Sequence, residues 1–316
     1  MACSKTKADF KGESTMFKKI VSVFIAIITF FVSLFGGGSG SGSGKPGKIN
    51  AYKNLSYGSS KNQTLDLYVP KKASGKYGLI LNLHGGEWTN GSKDEFSEDT
   101  LKKMCSDYGC AAATMNYRFV SKTVNALDII NDIDAALKKI KEKGSESDIV
   151  FNRVMLNGVS AGGHLALLYG CSKGVSAPMK VVAIAVKSAP ADLSDVSFYS
   201  ASSTLGSQSD IYGLMSKVCG KTFNAKTFPR AVPKLKTVSP ITYVTKSCPP
   251  VLIAHGKLDS VVPYSNALMF SAAVSGVGVR SELIAYANSG HDLSNDDDCE
   301  KKFGELFSTY AKTYLK

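Results

Sequence analysis

Several patterns that mark common protein classes are scarce or missing in this 316-residue sequence. It has one tryptophan and four histidines, and although it has seven cysteines, none are spaced as Cys-x-x-Cys. Without that spacing or a histidine cluster, no metal site is expected. No internal repeat is evident. A mechanism that requires a histidine therefore has few candidates to choose from.

The chain has an excess of basic residues, but they are not clustered in the sequence. Lysine and arginine outnumber the acidic residues by 38 to 26, which gives a net charge of +12 at pH 7. Such a balance can favour an anionic partner, such as a polyanionic glycan, a cell wall or a nucleic acid. The lysines are scattered, however, and form no stripe interleaved with aromatic residues. We therefore expect no nucleic-acid partner.

The first 47 residues differ from the rest in composition. Residues 1–35 predict an N-terminal extension followed by an export signal, because two lysines after Met16 precede the uncharged apolar run 20–35. We take Met16 as the true start; an uncleaved signal anchor is an alternative. Residues 36–47 predict a flexible Gly/Ser linker. The protein is therefore expected to be extracytoplasmic, either secreted or tethered to a membrane through residues 20–35.

Residues 48–316 predict one α/β domain. Two strands separated by a turn-rich stretch predict an antiparallel hairpin, and the later alternation of strands and helices predicts a mainly parallel sheet with helices on both faces. The predicted strands are 49–56, 64–69, 79–83, 111–117, 154–157, 181–186, 251–254 and 282–286, and the helices are 95–107, 124–143, 264–274 and 299–314. Residues 190–245 form a long region of weak periodicity that is rich in serine.

A short apolar strand, a Gly-x-Ser-x-Gly pattern and a Leu/Ala-rich helix follow one another in residues 154–168. This is the context of a nucleophile elbow, in which a serine lies on a sharp strand-to-helix turn. Gly158 and Gly162 flank the serine because so tight a turn leaves no room for side chains. Ser160 is therefore the candidate nucleophile.

A serine nucleophile needs a histidine base and a carboxylate that orients the base. Of the four histidines, His291 lies in a loop between the last strand and the last helix, where it can reach the elbow. Asp259 follows the penultimate strand and gives the chain order Ser, Asp, His. Asp192 is the main alternative for the acid, and Asp292 is too close to the base to orient it easily.

The loop after strand 79–83 has the sequence His84-Gly85-Gly86-Glu87-Trp88. Backbone N–H groups of Gly85 and Gly86, together with that of Ala161, are candidates for binding an oxyanion. We expect His84 to brace this loop by hydrogen bonding and Trp88 to pack beneath it. Like Ser160, Asp259 and His291, the loop falls at the carboxyl end of a predicted strand, where ligands bind in open α/β sheets.

These motifs together resemble α/β-hydrolase fold esterases, a group that includes carboxylesterases, hormone-sensitive-lipase-like enzymes, and bacterial feruloyl and acetyl-xylan esterases. The supporting segments are 65–70, 84–88, 116–118, 158–164, 239–241, 249–252, 255–259 and 290–291. The resemblance implies Ser160 as nucleophile, Asp259 as acid, His291 as base, and Gly85, Gly86 and Ala161 as oxyanion donors. It also implies no metal or organic cofactor, and a small-molecule or glycan-linked ester as substrate. It does not fix the oligomeric state.

One position departs from the family pattern. Many relatives have a third glycine or another small residue where this chain has Glu87, whose carboxylate would oppose a developing oxyanion. We expect it to point to solvent or to pair with a lysine. Two interpretations remain beside the esterase: a peptidase of the same fold, and a non-catalytic surface binding protein. The resemblance also implies a small cap or lid over the acyl site in residues 190–245. The cap residues that either line an acyl pocket or pack against the sheet are Phe198, Tyr199, Tyr212, Leu214, Met215 and Phe223.

Overall fold

The computed structural model describes residues 48–200 and 206–316. The extension, signal and linker predicted for residues 1–47 lie outside the described residues. Within them, the strands are β1 (Ile49–Ser56), β2 (Thr64–Pro70), β3 (Gly75–Leu83), β4 (Ala111–Met115), β5 (Ile149–Val159), β6 (Lys180–Lys187), β7 (Val251–Gly256) and β8 (Ser281–Tyr286). The helices are α1 (Glu98–Tyr108), α2 (Ala126–Ser145), α3 (Ser160–Lys173), α4 (Ser197–Ser200), α5 (Gln208–Cys219), α6 (Phe228–Lys236), α7 (Tyr264–Gly276) and α8 (Asp297–Tyr314).

The strands form one sheet in the order β1-β2-β4-β3-β5-β6-β7-β8. The first two strands pair antiparallel, and β2 pairs antiparallel with β4. From β3 onward every pairing is parallel. The predicted mainly parallel sheet with an N-terminal antiparallel hairpin is therefore confirmed.

Two apolar clusters, one on each face, explain why the central strands lack an exposed side. Residues of β3 and β5 contribute alternately to both clusters: Leu79 and Leu81 lie in one, whereas Ile80 lies in the other. Helices α2, α3 and α7 supply the first cluster, and α1 and α8 supply the second. A strand that is covered on both faces is uniformly apolar, which matches the unbroken burial at the end of β5.

Local signals set the helix ends. The side chain of Asn125 accepts the N–H of Leu127, and Asp128 accepts the N–H of Asn125, so α2 begins with a capping box. Helix α1 ends at Gly109, which has φ +64°, a left-handed conformation that glycine adopts without steric strain. Such signals explain why the predicted helix ends lie within about three residues of the observed ends.

The region between β6 and β7 contains α4, α5, α6 and a 3₁₀ turn, Pro240–Tyr243, among the described residues. Its aromatic side chains pack on one another: Tyr199 stacks on Tyr212 with ring centroids 5.0 Å apart, and its ring centroid lies 4.7 Å from that of Phe228. Phe198 and Met215 are also buried. These side chains belong to the same apolar cluster as Leu79 and Leu81 of β3, so this part of the chain packs with the sheet.

Among residues 48–200 and 206–316, no helix combines the length and the apolar character that crossing a membrane requires.

Candidate active site

Ser160 lies at the junction between the carboxyl end of β5 and the first turn of α3, with φ +51°. A Cβ on Gly158 would lie 2.5 Å from the carbonyl oxygen of Gly162, and a Cβ on Gly162 would lie 2.2 Å from that of Leu83. Both contacts are shorter than van der Waals distance, so the turn requires glycine on both sides. The strained serine conformation is the kind that persists at functional sites.

The structure brings Ser160, His291 and Asp259 together from three separate strand ends. The Ser160 hydroxyl lies 3.0 Å from His291 Nε2, and His291 Nδ1 lies 2.8 Å from Asp259 Oδ2. The hydroxyl therefore donates to Nε2 while Nδ1–H donates to the carboxylate. This is the connectivity of a nucleophile, a base and an orienting acid.

Burial and charge act in opposite directions on this chain of hydrogen bonds. Burial disfavours the charged form of His291, but the charge and hydrogen bond of Asp259 outweigh it and raise the pKa of His291. Burial likewise favours a neutral Asp259, yet His291 and His255 hold the pKa of Asp259 below its ordinary value. The acid is therefore ionised at neutral pH, and a proton on the imidazole is stabilised.

Groups other than His291 also hold Asp259 in place. Its Oδ1 accepts the backbone N–H groups of Val261 and Val262 at 2.8 and 2.9 Å. His255 Nε2 lies 3.2 Å from Oδ2 and 2.9 Å from the carbonyl oxygen of Val262. Sequence reasoning set His255 aside as a base and missed this contact with the acid. Its position four residues before Asp259 is the signal that was available.

The remaining two histidines are buried, neutral and bonded elsewhere. Burial lowers the pKa of both His84 and His164 to about 4. His164 Nδ1 accepts the indole N–H of Trp88 at 3.1 Å, while its Nε2 donates to the carbonyl oxygen of Val238 at 2.7 Å. Trp88, which is 3% exposed, thus packs against the elbow helix as expected.

His84 contacts the loop it was expected to brace. Its Nδ1 lies 2.7 Å from the carbonyl oxygen of Gly85, and its ring stacks on Tyr117 with centroids 4.2 Å apart. The Tyr117 hydroxyl donates to the carbonyl oxygen of His84 at 2.7 Å. Because C=O and N–H point in opposite directions across a trans peptide, fixing the Gly85 carbonyl turns the Gly86 N–H to the other side.

The N–H of Gly85 has a different neighbour from the one expected. It acts on the carboxyl group of Glu95 and lowers its pKa, whereas burial, the larger effect, raises that pKa to about 7. The N–H groups of Gly86, Glu87 and Ala161, by contrast, donate no hydrogen bond within residues 48–200 and 206–316. Gly86 and Ala161 are thus available as donors, and the N–H of Glu87 is a further available donor.

Glu87 forms no salt bridge with a lysine among the described residues. Its side chain is half-buried, and burial raises its pKa while His291 lowers it. The charges of Glu87 and His291 therefore act on each other. The expected lysine partner is absent from the described residues, whereas the expected exposure to solvent is present in part.

Neither alternative acid binds His291. Asp192 Oδ1 accepts the N–H and the hydroxyl of Ser194, so Asp192 is a turn former. The Asp292 carboxylate accepts the hydroxyl of Ser294. Among the described residues no group of three His, Cys, Asp or Glu side chains is arranged to hold a metal ion.

A separate cleft of about 630 Å³ borders the cap. Tyr212 and Phe223, two of the candidate pocket residues, line it. The rest of its lining comes from Ser121, Lys122, Gln208, Ser209, Gly213, Ser216, Lys217, Gly220, Lys221, Thr222, Asn224 and Ala225. None of these residues belongs to the hydrogen-bonded group around Ser160.

With this geometry in place, comparison with known proteins decides the family. The BD-FAE family profile matches residues 65–274, which is more than half of the chain and includes Ser160 and Asp259. The chain belongs to the BD-FAE family. This is an esterase family of the α/β-hydrolase fold.

Individual relatives are distant. The chain is 24% identical over 262 residues to the isoprenylcysteine alpha-carbonyl methylesterase of Arabidopsis thaliana, a match that covers 81% of this chain and 60% of that protein. The chain spans about half to 60% of the length of the curated relatives it matches.

Solved structures agree on the fold of this BD-FAE protein. A truncated carbohydrate esterase from gut microbiota superposes with a TM-score of 0.67 at 22% identity, covering 85% of this chain and 99% of the other. A bacterial heroin esterase gives a TM-score of 0.68 at 17% identity, covering 91% and 89%. The α/β-hydrolase fold expected from the motifs is therefore confirmed.

Proposed function

We propose that this protein is a serine hydrolase that cleaves carboxylic esters through an acyl-enzyme intermediate. The observation that carries the proposal is the continuous hydrogen-bonded chain from the Ser160 hydroxyl through His291 to Asp259. Membership of an esterase family and the names of its relatives support the choice of ester as the substrate.

This arrangement accounts for each proton transfer of ester hydrolysis. As Ser160 Oγ attacks the ester carbonyl carbon, His291 Nε2 takes the hydroxyl proton, and the ionised Asp259 stabilises the imidazolium. His291 then returns the proton to the departing alcohol, which leaves Ser160 acylated. Water, deprotonated by the same histidine, attacks the acyl-enzyme and releases the acid.

The oxyanion of each tetrahedral intermediate requires backbone donors. We propose Gly86 and Ala161, because their N–H groups have no other partner in the described chain, with the N–H of Glu87 as a third donor. The carbonyl of Gly85, fixed by His84, sets the direction of the Gly86 N–H. Removing one oxyanion donor in other enzymes lowers kcat by about 10²–10³.

Replacement of Ser160 by alanine tests the mechanism with a short-chain aryl ester. We expect kcat/KM to fall by at least about 10³-fold, with the thermal unfolding midpoint little changed. We also expect a fluorophosphonate probe to label the parent protein but not Ser160→Ala. Undiminished turnover would remove Ser160 from the mechanism. Peptide turnover without ester turnover would favour a peptidase, and a folded protein that is not labelled would favour a binding role.

The acyl and alcohol groups define the substrate further. We include acylated glycans among the proposed substrates because one structural relative is named a carbohydrate esterase. A panel of esters that varies only the acyl group, from acetate to a fatty acid to a hydroxycinnamate, distinguishes the main classes. Hydrolysis of an acetylated or feruloylated oligosaccharide, compared with the matching aryl ester, tests whether a glycan contributes to binding.

A further inference from the structure

Glu87 and Trp88 form a turn that neither residue type favours. They have φ values of +53° and +57°, and the N–H of Thr89 donates to the carbonyl oxygen of Gly86 at 2.9 Å. Two consecutive left-handed residues inside such a bond form a type I′ turn, which normally uses Asn and Gly. Backbone strain of this kind clusters at functional sites.

Contacts of Trp88 fix the direction of this turn. Its indole N–H donates to His164, and its carbonyl oxygen accepts the N–H of Val120 at 2.9 Å. The side chain of Trp88 is buried, whereas that of Glu87 is half-buried beside the site. The strained turn therefore holds Glu87 on a rigid support in the loop that lies against the nucleophile, where a Cβ on Gly85 would lie 3.7 Å from Ser160 Cβ.

The charged groups that act on His291 from the described residues are all acidic. They are Asp259, Asp292 and Glu87. Asp259 is bound by His291 and by two backbone N–H groups, and Asp292 is bound by Ser294. Glu87 accepts no hydrogen bond from the described residues. A site with a partly desolvated acceptor and no cation of its own favours a positively charged ligand.

Given the ester hydrolysis proposed above, we propose that Glu87 selects esters that carry an ammonium group close to the scissile bond and disfavours anionic esters. The carboxylate pairs with the cation of the bound substrate. The pairing also reduces the repulsion between Glu87 and the developing oxyanion. The departure from the small residue of related enzymes is thus a specificity determinant.

Three acetate esters of similar size test this assignment: acetylcholine, its uncharged isostere 3,3-dimethylbutyl acetate, and the anion 3-acetoxypropanoate. The parent protein should prefer acetylcholine to the isostere by about tenfold in kcat/KM, and the anion should be the poorest substrate. In Glu87→Gln the first two rates should become equal. Glu98→Gln, which removes a surface carboxylate paired with Lys53 and Lys102, is the matched control and should keep the preference.

The same charge preference in Glu87→Gln as in the parent protein would overturn the assignment. Glu87→Gly, which relieves the left-handed strain, provides a second variant if Glu87→Gln does not fold. Turnover of the neutral isostere by the parent but not by Ser160→Ala shows that the hydrolysis itself is intact. A failure of the specificity assignment is thereby distinguished from a failure of the proposed function.

A second observation, independent of Glu87, concerns two cysteines, one before and one after the cap region in the sequence. Cys171 lies in the last turn of α3, and Cys248 lies just before β7. Each thiol shifts the pKa of the other. A Cβ placed on Gly170 would lie 3.7 Å from Pro249 Cγ, so the two segments are packed together. All six cysteines of the described chain are free thiols in the structure.

We propose that Cys171 and Cys248 are a disulfide site that forms on reaction with a small disulfide such as oxidised glutathione. The thiolate of Cys248 attacks one glutathione sulfur and releases one glutathione. Cys171 then loses its proton and attacks the Cys248 sulfur, which forms the protein disulfide and releases the second glutathione. The neighbouring Cys171 thiol lowers the pKa of Cys248 to about 6, which favours the attacking thiolate.

Peptide mapping of the full chain after incubation with oxidised glutathione tests the site. We expect a Cys171–Cys248 cross-linked peptide and a rise of several degrees in the thermal unfolding midpoint, because the bond closes a loop that includes β6 and the cap. Both effects should disappear in Cys171→Ser and Cys248→Ser and persist in Cys299→Ser. Stable glutathione adducts without the cross-link, or a cross-link that leaves the midpoint unchanged, would contradict the proposal.

Discussion

At the residue scale, His291 is where opposing electrostatic effects meet. The imidazole must be neutral to accept the Ser160 proton, yet Asp259, Asp292 and Glu87 all favour its protonated form. These charges make His291 a stronger base, and they also move its protonation toward neutral pH. The same residues that assist proton transfer therefore set the pH range in which the enzyme works.

The pH dependence of kcat/KM with a neutral ester follows from this balance. Because the pKa of His291 is raised above 6.5, activity should be present above that pKa and lost as the pH falls through it, with a midpoint above pH 6.5. Glu87→Gln removes one charge that raises the pKa, so the midpoint should move to lower pH. A midpoint that stays unchanged or moves upward would show that Glu87 does not act on His291.

At the elbow, a single added methyl group is expected to change both stability and activity. In Gly162→Ala the new methyl group would lie 2.2 Å from the carbonyl oxygen of Leu83, which is backbone and has little freedom to move. We expect a loss of about 3 kcal/mol in the free energy of unfolding, together with a large loss of kcat because β3 and α3 separate. Urea denaturation and an aryl ester assay measure the two effects.

Gly304→Ala is the matched control for this substitution. Gly304 lies inside α8, and a Cβ there would meet no heavy atom within 4 Å. Alanine should therefore stabilise the protein by about 0.5–1 kcal/mol, since glycine is the poorer helix former, and leave kcat unchanged. Equal effects of the two substitutions would indicate that the close contacts at the elbow are not what requires glycine.

At the element scale, a buried ion pair joins the end of β6 to α8. Lys187 Nζ lies 2.7 Å from both carboxylate oxygens of Glu300, which also accepts the Tyr286 hydroxyl, and it lies 4.4 Å from the ring centroid of Phe303. The next residue, Ser188, donates its hydroxyl to the carbonyl oxygen of His291 at 2.9 Å. The pair therefore supports the strand end that holds the catalytic loop.

Lys187→Met leaves the Glu300 carboxylate without its cation. We expect a loss of about 2–3 kcal/mol in the free energy of unfolding, at the lower end of values for buried pairs because Glu300 is partly exposed. The double variant Lys187→Met/Glu300→Gln should recover part of this loss. Lys301→Met, on the exposed side of the same helix, should change stability by less than about 0.5 kcal/mol. A double variant less stable than Lys187→Met would contradict the unpaired-charge explanation.

Elements were more predictable from the sequence than the contacts between loops. The continuous apolar runs that locate β5, α3 and β7 reflect burial on all sides of these elements. The positions of Ser160, Asp259 and His291 at strand ends follow from those elements. By contrast, the contact of His255 with Asp259 and the left-handed turn at Glu87 and Trp88 depend on loop hydrogen bonds. Loop hydrogen bonds produce no periodic pattern of residue types in the sequence.

At the scale of the whole molecule, the charge of the surface and that of the site have opposite signs. The chain carries +12, yet the groups acting on His291 are acidic. A positive surface attracts an anionic polymer or membrane, whereas the site favours a cation or a neutral ester. The electrostatic fields of the surface and of the active site act over different distances, because salt screens exposed charges beyond about 8 Å. Surface attraction and substrate selection are thus separable properties.

We propose that residues 20–35 direct the protein out of the cytoplasm and hold it at a membrane, with the Gly/Ser linker separating that segment from the hydrolase domain. Support comes from the uncharged apolar run after Lys18 and Lys19. Ile25→Lys/Ile28→Lys places two charges in the middle of the run, and each costs about 2.5–3.5 kcal/mol on insertion. The double variant should remain in the cytoplasm with unchanged kcat/KM in lysates, because the triad lies in residues 48–316.

Cell fractionation and a membrane-impermeant ester substrate measure the two properties separately. Ser41→Lys/Ser43→Lys makes the same change in charge within the linker and should leave both export and surface activity intact. If Ile25→Lys/Ile28→Lys reached the cell surface as well as the parent, residues 20–35 would have no role in targeting. If only the parent and the linker variant hydrolysed the impermeant ester on intact cells, the apolar run would be what places the active site outside the cytoplasm.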